Sequence, residues 1–569
     1  MSVGTVHRGE GFVELNAMPA FPASWRGDPA ATRRHRLAMT DPGHAFLWLE
    51  FDGQATALRP TSSPGEPPRW AGDRISVAVE PGPDTGTMRQ QWRVGTGGEV
   101  HVVRIRLRGS LDRPALAEIT ELEPPAATGA VTRFHVDSQT VRIEAAGLGA
   151  TAEVRAEGTT VRWRLTGDGA MGDVILPAEG AVELTLVVRL ATVARATDYH
   201  AAPVRGGDAL TAAALAYVRG CTALAVDEGE RVILTDHRIL PLSWTRDAYW
   251  QALALLAADE PGDRERVADH LRWLWRRCER PDARWARSHH ADGRRKDVAF
   301  QADQQLYPLV ELADFWRWTG SLPAGVDWST AVARVWDAFT ATVDPRLGLV
   351  PSAENAADDP AVAPFIGSSQ ILLWYAARRV AELADAGALA LDARKLCDAA
   401  VRTGDAFHRR IAGDPAAGWA YAVDASGRRV DYHDANDLPV ALAPVWGFCD
   451  ATDAGWRRTM ELAFSPANPA WAAGRFAGLG SVHTAGAWTL GDVQAWIRAR
   501  CTADAAGMNA AIERLARVAM PDGMLPEAYD TESLAPVRHW FAWPGAALAA
   551  LRLLDDGGRL DRIGVAPSR

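Results

Sequence analysis

At 569 residues the chain is too long for one ordinary hydrophobic core, and length alone suggests two to four domains, most of which a large barrel could absorb. Apolar residues make up 48% and charged ones 23%, no run of roughly 18 apolar residues could span a bilayer, and the net charge is -10 with Lys and Arg dispersed. Nucleic acid and anionic membrane are therefore excluded as expected partners, because affinity for either rests on neutralising phosphates. The N-terminus lacks the apolar stretch of a secretory signal, so a cytoplasmic location is expected. Five cysteines (Cys221, Cys278, Cys397, Cys449, Cys501) lie far apart with no C-x-x-C spacing, which argues against a disulfide framework or a zinc ribbon. No metal or cofactor motif is found.

Up to about residue 195 short apolar runs alternate with Gly, Pro and Asp at turn spacing: "AFLWLEFDG", "RISVAVEPG", "QQWRVGTGG", "VHVVRIRLRG", "TVRIEAAG", "TTVRWRLTGDG", "VELTLVVRLATV". This pattern predicts an antiparallel β-sandwich over residues 1–196. A linker at 197–208 follows. From about residue 207 the period becomes helical, with about twelve helices expected near 207–224, 246–258, 262–278, 302–319, 329–342, 368–386, 391–411, 437–448, 453–464, 489–502, 506–519 and 540–554. In the eleventh, Met508, Ile512, Leu515, Ala516 and Ala519 form one apolar stripe. Odd-numbered helices carry charge on one face, whereas even-numbered ones such as "AYWQALALLAA" are apolar nearly all round and must be enclosed. Strict alternation of exposed and enclosed helices predicts a closed double ring, the (α/α)6 barrel, over residues 209–569. The fold class is thus mainly α with an N-terminal β domain.

Each turn from an outer to an inner helix is rich in acids and aromatics: "LSWTRDAYW", "DVAFQADQQLYP", "AENAADDPAVAPFIGSS", "DYHDANDLP", "GLGSVHTAGAWT" and "LPEAYDTESLAPVRHWFAW". The reverse turns, such as "ADEPGD" and "CDATDA", are bland. In an alternating ring all six loaded turns fall at one end and converge on one mouth. Singly, Asp247, Asp303, Asp434 and Asp437 could be helix caps or first-turn carboxylates. Capping does not call for Trp244, Trp488, Trp540 and Trp543 beside them. Indoles offer flat apolar faces with an N–H handle, which suit sugar rings, and the chain holds 23 tryptophans. An acidic, indole-lined pocket fits glycoside cleavage between two carboxyl groups, which in an inverting enzyme stand roughly 6.5–9.5 Å apart. Opposing loops hold Glu354, Asp358 and Asp359 in one case and Glu527 and Asp530 in the other.

These segments resemble glycoside hydrolase family 125, the exo-α-1,6-mannosidases. The resemblance runs in order from about residue 235 to 555, through "LPLSWTRDAYWQALALL", "FQADQQLYPLVELADFWRWTG", "DDPAVAPFIGSS", "HDANDLPVALAPVWGF", "GLGSVHTAGAWT" and "GMLPEAYD" followed by "RHWFAWPGAALAAL". It implies an inverting hydrolase without metal, with an aspartate of the D-D loop as acid and a glutamate of the C-terminal loop as base. Carried over, these are Asp358, with Asp359 as the competing choice, and Glu527. The acid is expected to have its pKa raised by burial and nearby carboxylates. Substrate contact is expected from Trp244, Arg246, Asp247, Asp303, Asp359, Asn436, Asp437, His483, Trp488 and Trp543. The chain departs from the family in lacking the W-S-G-F-R-P lead of the D-D loop and the proline after Ser481. "WTRDAYW", "LPEAYD" and the separate β domain are similar to glucoamylases and amylo-α-1,6-glucosidases, so an α-glucoside is the second choice of substrate. A barrel that binds carbohydrate without cleaving it is the reading from another class.

Overall fold

The computed structural model describes the strands of residues 3–196, with the turns at 137–139 and 158–161. Beyond them it describes residues 208–222, 224–227, 229–235, 242–289, 293–296, 299–518, 525–534, 537 and 542–565. All but the last residue of the expected linker, and Trp540, lie outside the described residues.

The period-two runs of the first part form strands joined in two antiparallel sheets. One runs, in spatial order, Val3–Arg8, Gly11–Asn16, Arg36–Thr40, Ala45–Phe51, Val102–Gly109, Gly169–Ile175 and Arg162–Thr166. The other runs Thr132–Val136, Thr140–Ala145, Ala150–Glu157, Ala181–Ala191, Thr87–Gly95, Ile75–Pro81, Arg69–Ala71 and Arg59–Pro60. Long strands such as Ala181–Ala191 pair over most of their length, with Val182 opposite Val94 and Val188 opposite Met88.

The rest is helical. The described helices are α1 (Ala209–Cys221), α2 (Thr245–Ala258), α3 (Pro261–Arg272), α4 (Ala302–Thr319), α5 (Trp328–Thr340), α6 (Gly367–Asp385), α7 (Ala393–Phe407), α8 (Leu438–Trp446), α9 (Ala454–Ala463), α10 (Thr489–Cys501), α11 (Ala505–Val518) and α12 (Ala542–Asp556). The even-numbered helices touch in ring order, α2 to α4, α6, α8, α10 and α12, and α12 closes the ring on α2. Outer helices pack on this ring: α3 against α2 and α4, α5 against α4, α7 against α6, α11 against α10 and α1 against α12. The Trp456 indole of α9 donates to the Val440 carbonyl of α8 at 3.0 Å.

Burial explains the two kinds of helix. In α2 every residue from Thr245 to Ala257 is buried, since neighbours cover it on all sides. In α5 only Trp328, Val332, Val335 and Phe339 are buried, one stripe at helical spacing with polar residues opposite. In α11 the buried residues are Ala511, Leu515 and Val518, with Met508 and Ile512 packed at the edge and Ala516 exposed. The expected stripe is therefore rotated, because two small alanines give apolarity without the bulk that sets which face turns inward; Ala519 lies outside the described residues.

Candidate active site

All inner helices begin at the same end of the ring, and the loops that precede them are joined to one another there. Their N-termini carry partial positive charge, which suits a mouth rich in carboxylates. Outer helices use aspartates as ordinary caps: Asp327 accepts from Thr330 N, Asp392 from Arg394 N and Lys395 N, and Asp453 from Trp456 N. At the inner helices the cap positions are Trp244, Gln301, Ile366, Asp437 and Trp488, and none of their side chains makes a capping bond. The rim carboxylates are held by other means.

The loop carrying Asp358 is built around Asn355. Its side-chain oxygen accepts from Ala357 N and Asp359 N, both at 2.9 Å, and its own N–H donates to the Asp359 carbonyl at 2.8 Å. The bridge between Glu354 and Pro360 closes the turn. This leaves Asp358 at φ 66°, a left-handed conformation that Asp tolerates better than bulky residues do. The Asp358 carboxylate points into a set of donors. Oδ2 accepts from Trp244 Nε1 at 3.0 Å, and Oδ1 from Arg246 Nη2 at 3.1 Å and Gln301 Nε2 at 2.6 Å. Its side chain is a quarter exposed.

Burial pushes the Asp358 pKa up, but the Arg246 and Arg287 charges and the hydrogen bonds from Gln301 and Arg246 outweigh it and hold the group below its ordinary value. This corrects the expected rise. The carboxylates near Asp358 share the Arg246 guanidinium with it. Arg246 Nη1 stands 2.8 Å from Asp303 Oδ2, and Nε stands 3.8 Å from Asp247 Oδ2. The guanidinium also lies over the Trp543 ring at 5.0 Å. Asp247, buried, is raised to about 7, by desolvation first and the Asp358 charge in addition, with Arg246 opposing. Arg287 binds both Glu354 oxygens at 3.2 Å, and Gln301 donates to Glu354 Oε2 at 2.9 Å.

Asp359 turns the other way. Its Oδ1 lies 3.0 Å from His483 Nδ1, which ties the third loop to the fifth, and the His483 ring stands edge-on to Trp488 with centroids 6.1 Å apart. Trp488 pairs in turn with Ala528, and Thr489 N donates to the Glu527 carbonyl at 3.1 Å. Glu527, 9% exposed, therefore sits on the same rim as the D-D loop. Gly491 permits this close stacking of loop on helix, since a Cβ there would lie 2.4 Å from the Leu479 carbonyl oxygen.

The fourth loop is more enclosed than expected for sugar contact. Asp434 accepts from Asn436 N and Nδ2, from Ser481 Oγ and from Val482 N. Asn436 also donates to Ser481 Oγ at 3.2 Å. Asp437, 2% exposed, accepts from Ser368 Oγ at 2.6 Å, and its Oδ2 has no hydrogen-bond partner among the described residues. Desolvation, followed by the Asp434 charge, raises the Asp437 pKa well above the usual range. Trp244, Trp488 and Trp543 are 6%, 1% and 3% exposed and form rim wall rather than open platforms. Sequence reasoning singled out Arg246, Asp303, Asp358 and His483 and missed Gln301, Arg287 and Asn355. Gln301 and Asn355 lie within the loaded turns, but as neutral amides among acids and aromatics they did not stand out, and Arg287 lies outside those turns.

Residues 330–553 match the family model of the metal-independent alpha-mannosidases, glycoside hydrolase family 125. The barrel is a glycoside hydrolase domain. The match spans less than half of the chain, from α5 to α12. Among solved structures, a metal-independent alpha mannosidase of Streptococcus pneumoniae, in a non-productive complex with alpha-1,6-mannobiose, is similar at TM-score 0.54 and 19% identity, covering 61% of this chain and 93% of that one. A bacterial glucoamylase complexed with acarbose is similar at TM-score 0.68 and 10% identity, covering 99% of this chain and 94% of that one. At these identities both likenesses speak to fold. No curated protein sequence matches the chain.

Proposed function

We propose that this glycoside hydrolase is an exo-acting, inverting α-glycosidase that removes a terminal α-mannose, 1,6-linked, from an oligosaccharide. Asp358 serves as general acid toward the glycosidic oxygen and Glu527 as general base toward water. The observation that carries this reading is the joined rim, on which two carboxylates from distant parts of the chain, at 358 and 527, are linked through Asp359, His483 and Trp488. Arg246, Asp247 and Asp303 form a charged cluster suited to the hydroxyls of a terminal sugar. Because its donors hold Asp358 low in the free protein, the acid role requires that its proton be taken up as substrate binds. The whole-length likeness to a glucoamylase supports an α-glucoside as the second reading. It also supports the division into a β-sandwich over 1–196, a linker over 197–208 and the barrel over 209–569.

The test is a panel of aryl and disaccharide α-glycosides with the released anomer followed by NMR. Release of β-mannose from an α-1,6-mannobioside is the expected result, retention of configuration would overturn the mechanism, and sugar binding without any cleavage would favour a lectin-like barrel. Glu527→Gln should lower kcat by at least about a hundredfold with an unchanged melting temperature. A loss under tenfold would remove Glu527 from the mechanism.

A further inference from the structure

We propose that Gln301 is a positioning residue for the acid: its amide reserves one oxygen of Asp358 as an acceptor and assigns the transferable proton to the other, Oδ2. The inference rests on the hydrolytic reading of the rim given above.

Gln301 occupies the cap position of α4, is fully buried, and spends no side-chain atom on capping. Its Nε2 donates to Asp358 Oδ1 at 2.6 Å and to Glu354 Oε2 at 2.9 Å, while its Oε1 accepts from Arg246 Nη1 at 3.3 Å. The chemistry fixes which end is which. A guanidinium only donates and ionised carboxylates only accept, so the amide oxygen must face Arg246 and the nitrogen must face the acids. Two donors then occupy Oδ1 of Asp358, Gln301 and the Nη2 of Arg246 at 3.1 Å, and among the described residues no acceptor is there to receive a proton from it. Oδ2 accepts once, from Trp244 Nε1 at 3.0 Å, and keeps a second lone pair for a proton. In the reaction the Oδ2–H bond breaks and its proton passes to the glycosidic oxygen. The C1–O bond breaks with its electron pair on that oxygen, and water adds to C1 as Glu527 takes its proton.

The other Gln residues of this turn serve the fold. Gln305 donates to the Trp285 and Gln301 carbonyls, and Gln304 accepts from Thr245 and the Arg246 N–H. Gln301 alone of the three contacts Asp358. The charged groups around Asp358 are Arg246 and Arg287, the carboxylates Asp247 and Asp303 held with Arg246, Glu354 held by Arg287, Asp359 with His483, and Lys296 over the Trp244 ring at 5.8 Å.

The test uses the full chain carrying Gln301→Met, which keeps length without a polar head, and Gln301→Glu, which keeps shape without the donor. Both are assayed against aryl α-mannosides of graded leaving-group acidity, with melting temperature as the check on folding. Expected are a fall in kcat of about 10- to 100-fold on the poorest leaving group, a KM within about threefold of the parent, and a much smaller loss on a dinitrophenyl glycoside. Because a donor to the ionised form is lost, the Asp358 pKa rises, and the basic limb of kcat/KM moves to higher pH by about one unit. Folded variants with kcat within threefold of the parent and an unmoved basic limb would overturn the inference while leaving the hydrolytic reading intact. A parent protein that cleaves no α-glycoside would overturn the reading and the inference with it.

Discussion

Arg246 carries more of the rim than any carboxylate does, since its one guanidinium faces Asp247, Asp303 and Asp358 and stacks on Trp543. Replacing it with Ala would strand three acids in a site that is mostly buried, at a cost of about 3–5 kcal/mol in urea unfolding. The depressed Asp358 pKa adds a sign. Its contribution to stability is present above the unfolded value and lost as pH falls through the folded one, so the gap between parent and Arg246→Ala should narrow toward pH 3. Asp437 runs the opposite way. With its folded pKa raised, the favourable state is the protonated one, and stability is lost as pH climbs above the unfolded value. Asp437→Asn keeps an acceptor for Ser368 Oγ and cannot ionise, so its melting temperature relative to the parent should rise steadily between pH 4 and pH 8. A falling or flat difference would show that Asp437 is ionised at neutral pH. Arg246 was legible because a guanidinium at the start of an apolar helix is unusual, and Asp358 because its D-D loop resembles a family motif. Gln301 was not, because a buried amide leaves no mark in the sequence until the groups it joins, at 246, 354 and 358, are brought together by the fold.

The helices show why the fold was easier to read than the site. Residues enclosed on every side, as in α2, must be apolar or paired throughout, whereas an outer helix like α5 needs only one buried stripe, so the alternation is written into composition. The rotated stripe of α11 marks the limit, since alanine is indifferent to exposure and a face defined by alanines can turn without penalty. The same contrast separates the carboxylates by end. The outer helices α5, α7 and α9 are capped in the ordinary way, so Asp453→Ala, which removes the acceptor for Trp456 N at 2.8 Å, should cost about 1 kcal/mol and leave kcat unchanged. If Asp453→Ala instead reduced turnover, the bland turns would have to be read as part of the functional surface. At the inner helices the acids are released from capping and held by side chains of other loops, a distinction that residue type alone does not reveal.

At the scale of the molecule, a ring of six inner helices has two ends, and only one is left for substrate. The other is sealed by the C-terminal segment. Ile563 is fully buried, Tyr375 Oη donates to its carbonyl at 2.7 Å, and Val565 N donates to the Trp446 carbonyl at 3.1 Å. Arg317 reaches the Arg562 and Gly564 carbonyls, and Arg559 Nη2 reaches the Ala257 carbonyl at 2.7 Å, at the end of α2. The Arg559 guanidinium at Ala257 also complements the negative end of α2. Removing residues 559–569 would uncover the Tyr375 and Trp446 rings, which stack with centroids 4.1 Å apart, leave the buried Tyr375 hydroxyl without its acceptor, and take two carbonyl acceptors from Arg317, which keeps Glu382. Ile563→Ala alone should cost about 2–4 kcal/mol in denaturant unfolding. The full truncation should cost more, lowering the melting temperature while the KM of the surviving folded fraction stays at the parent value, because the seal and the mouth lie at opposite ends of the ring. A truncated protein that melts with the parent would mean that the ring is held closed by its helices alone. One that keeps its stability but loses substrate affinity would place the C-terminal segment in the service of the mouth instead.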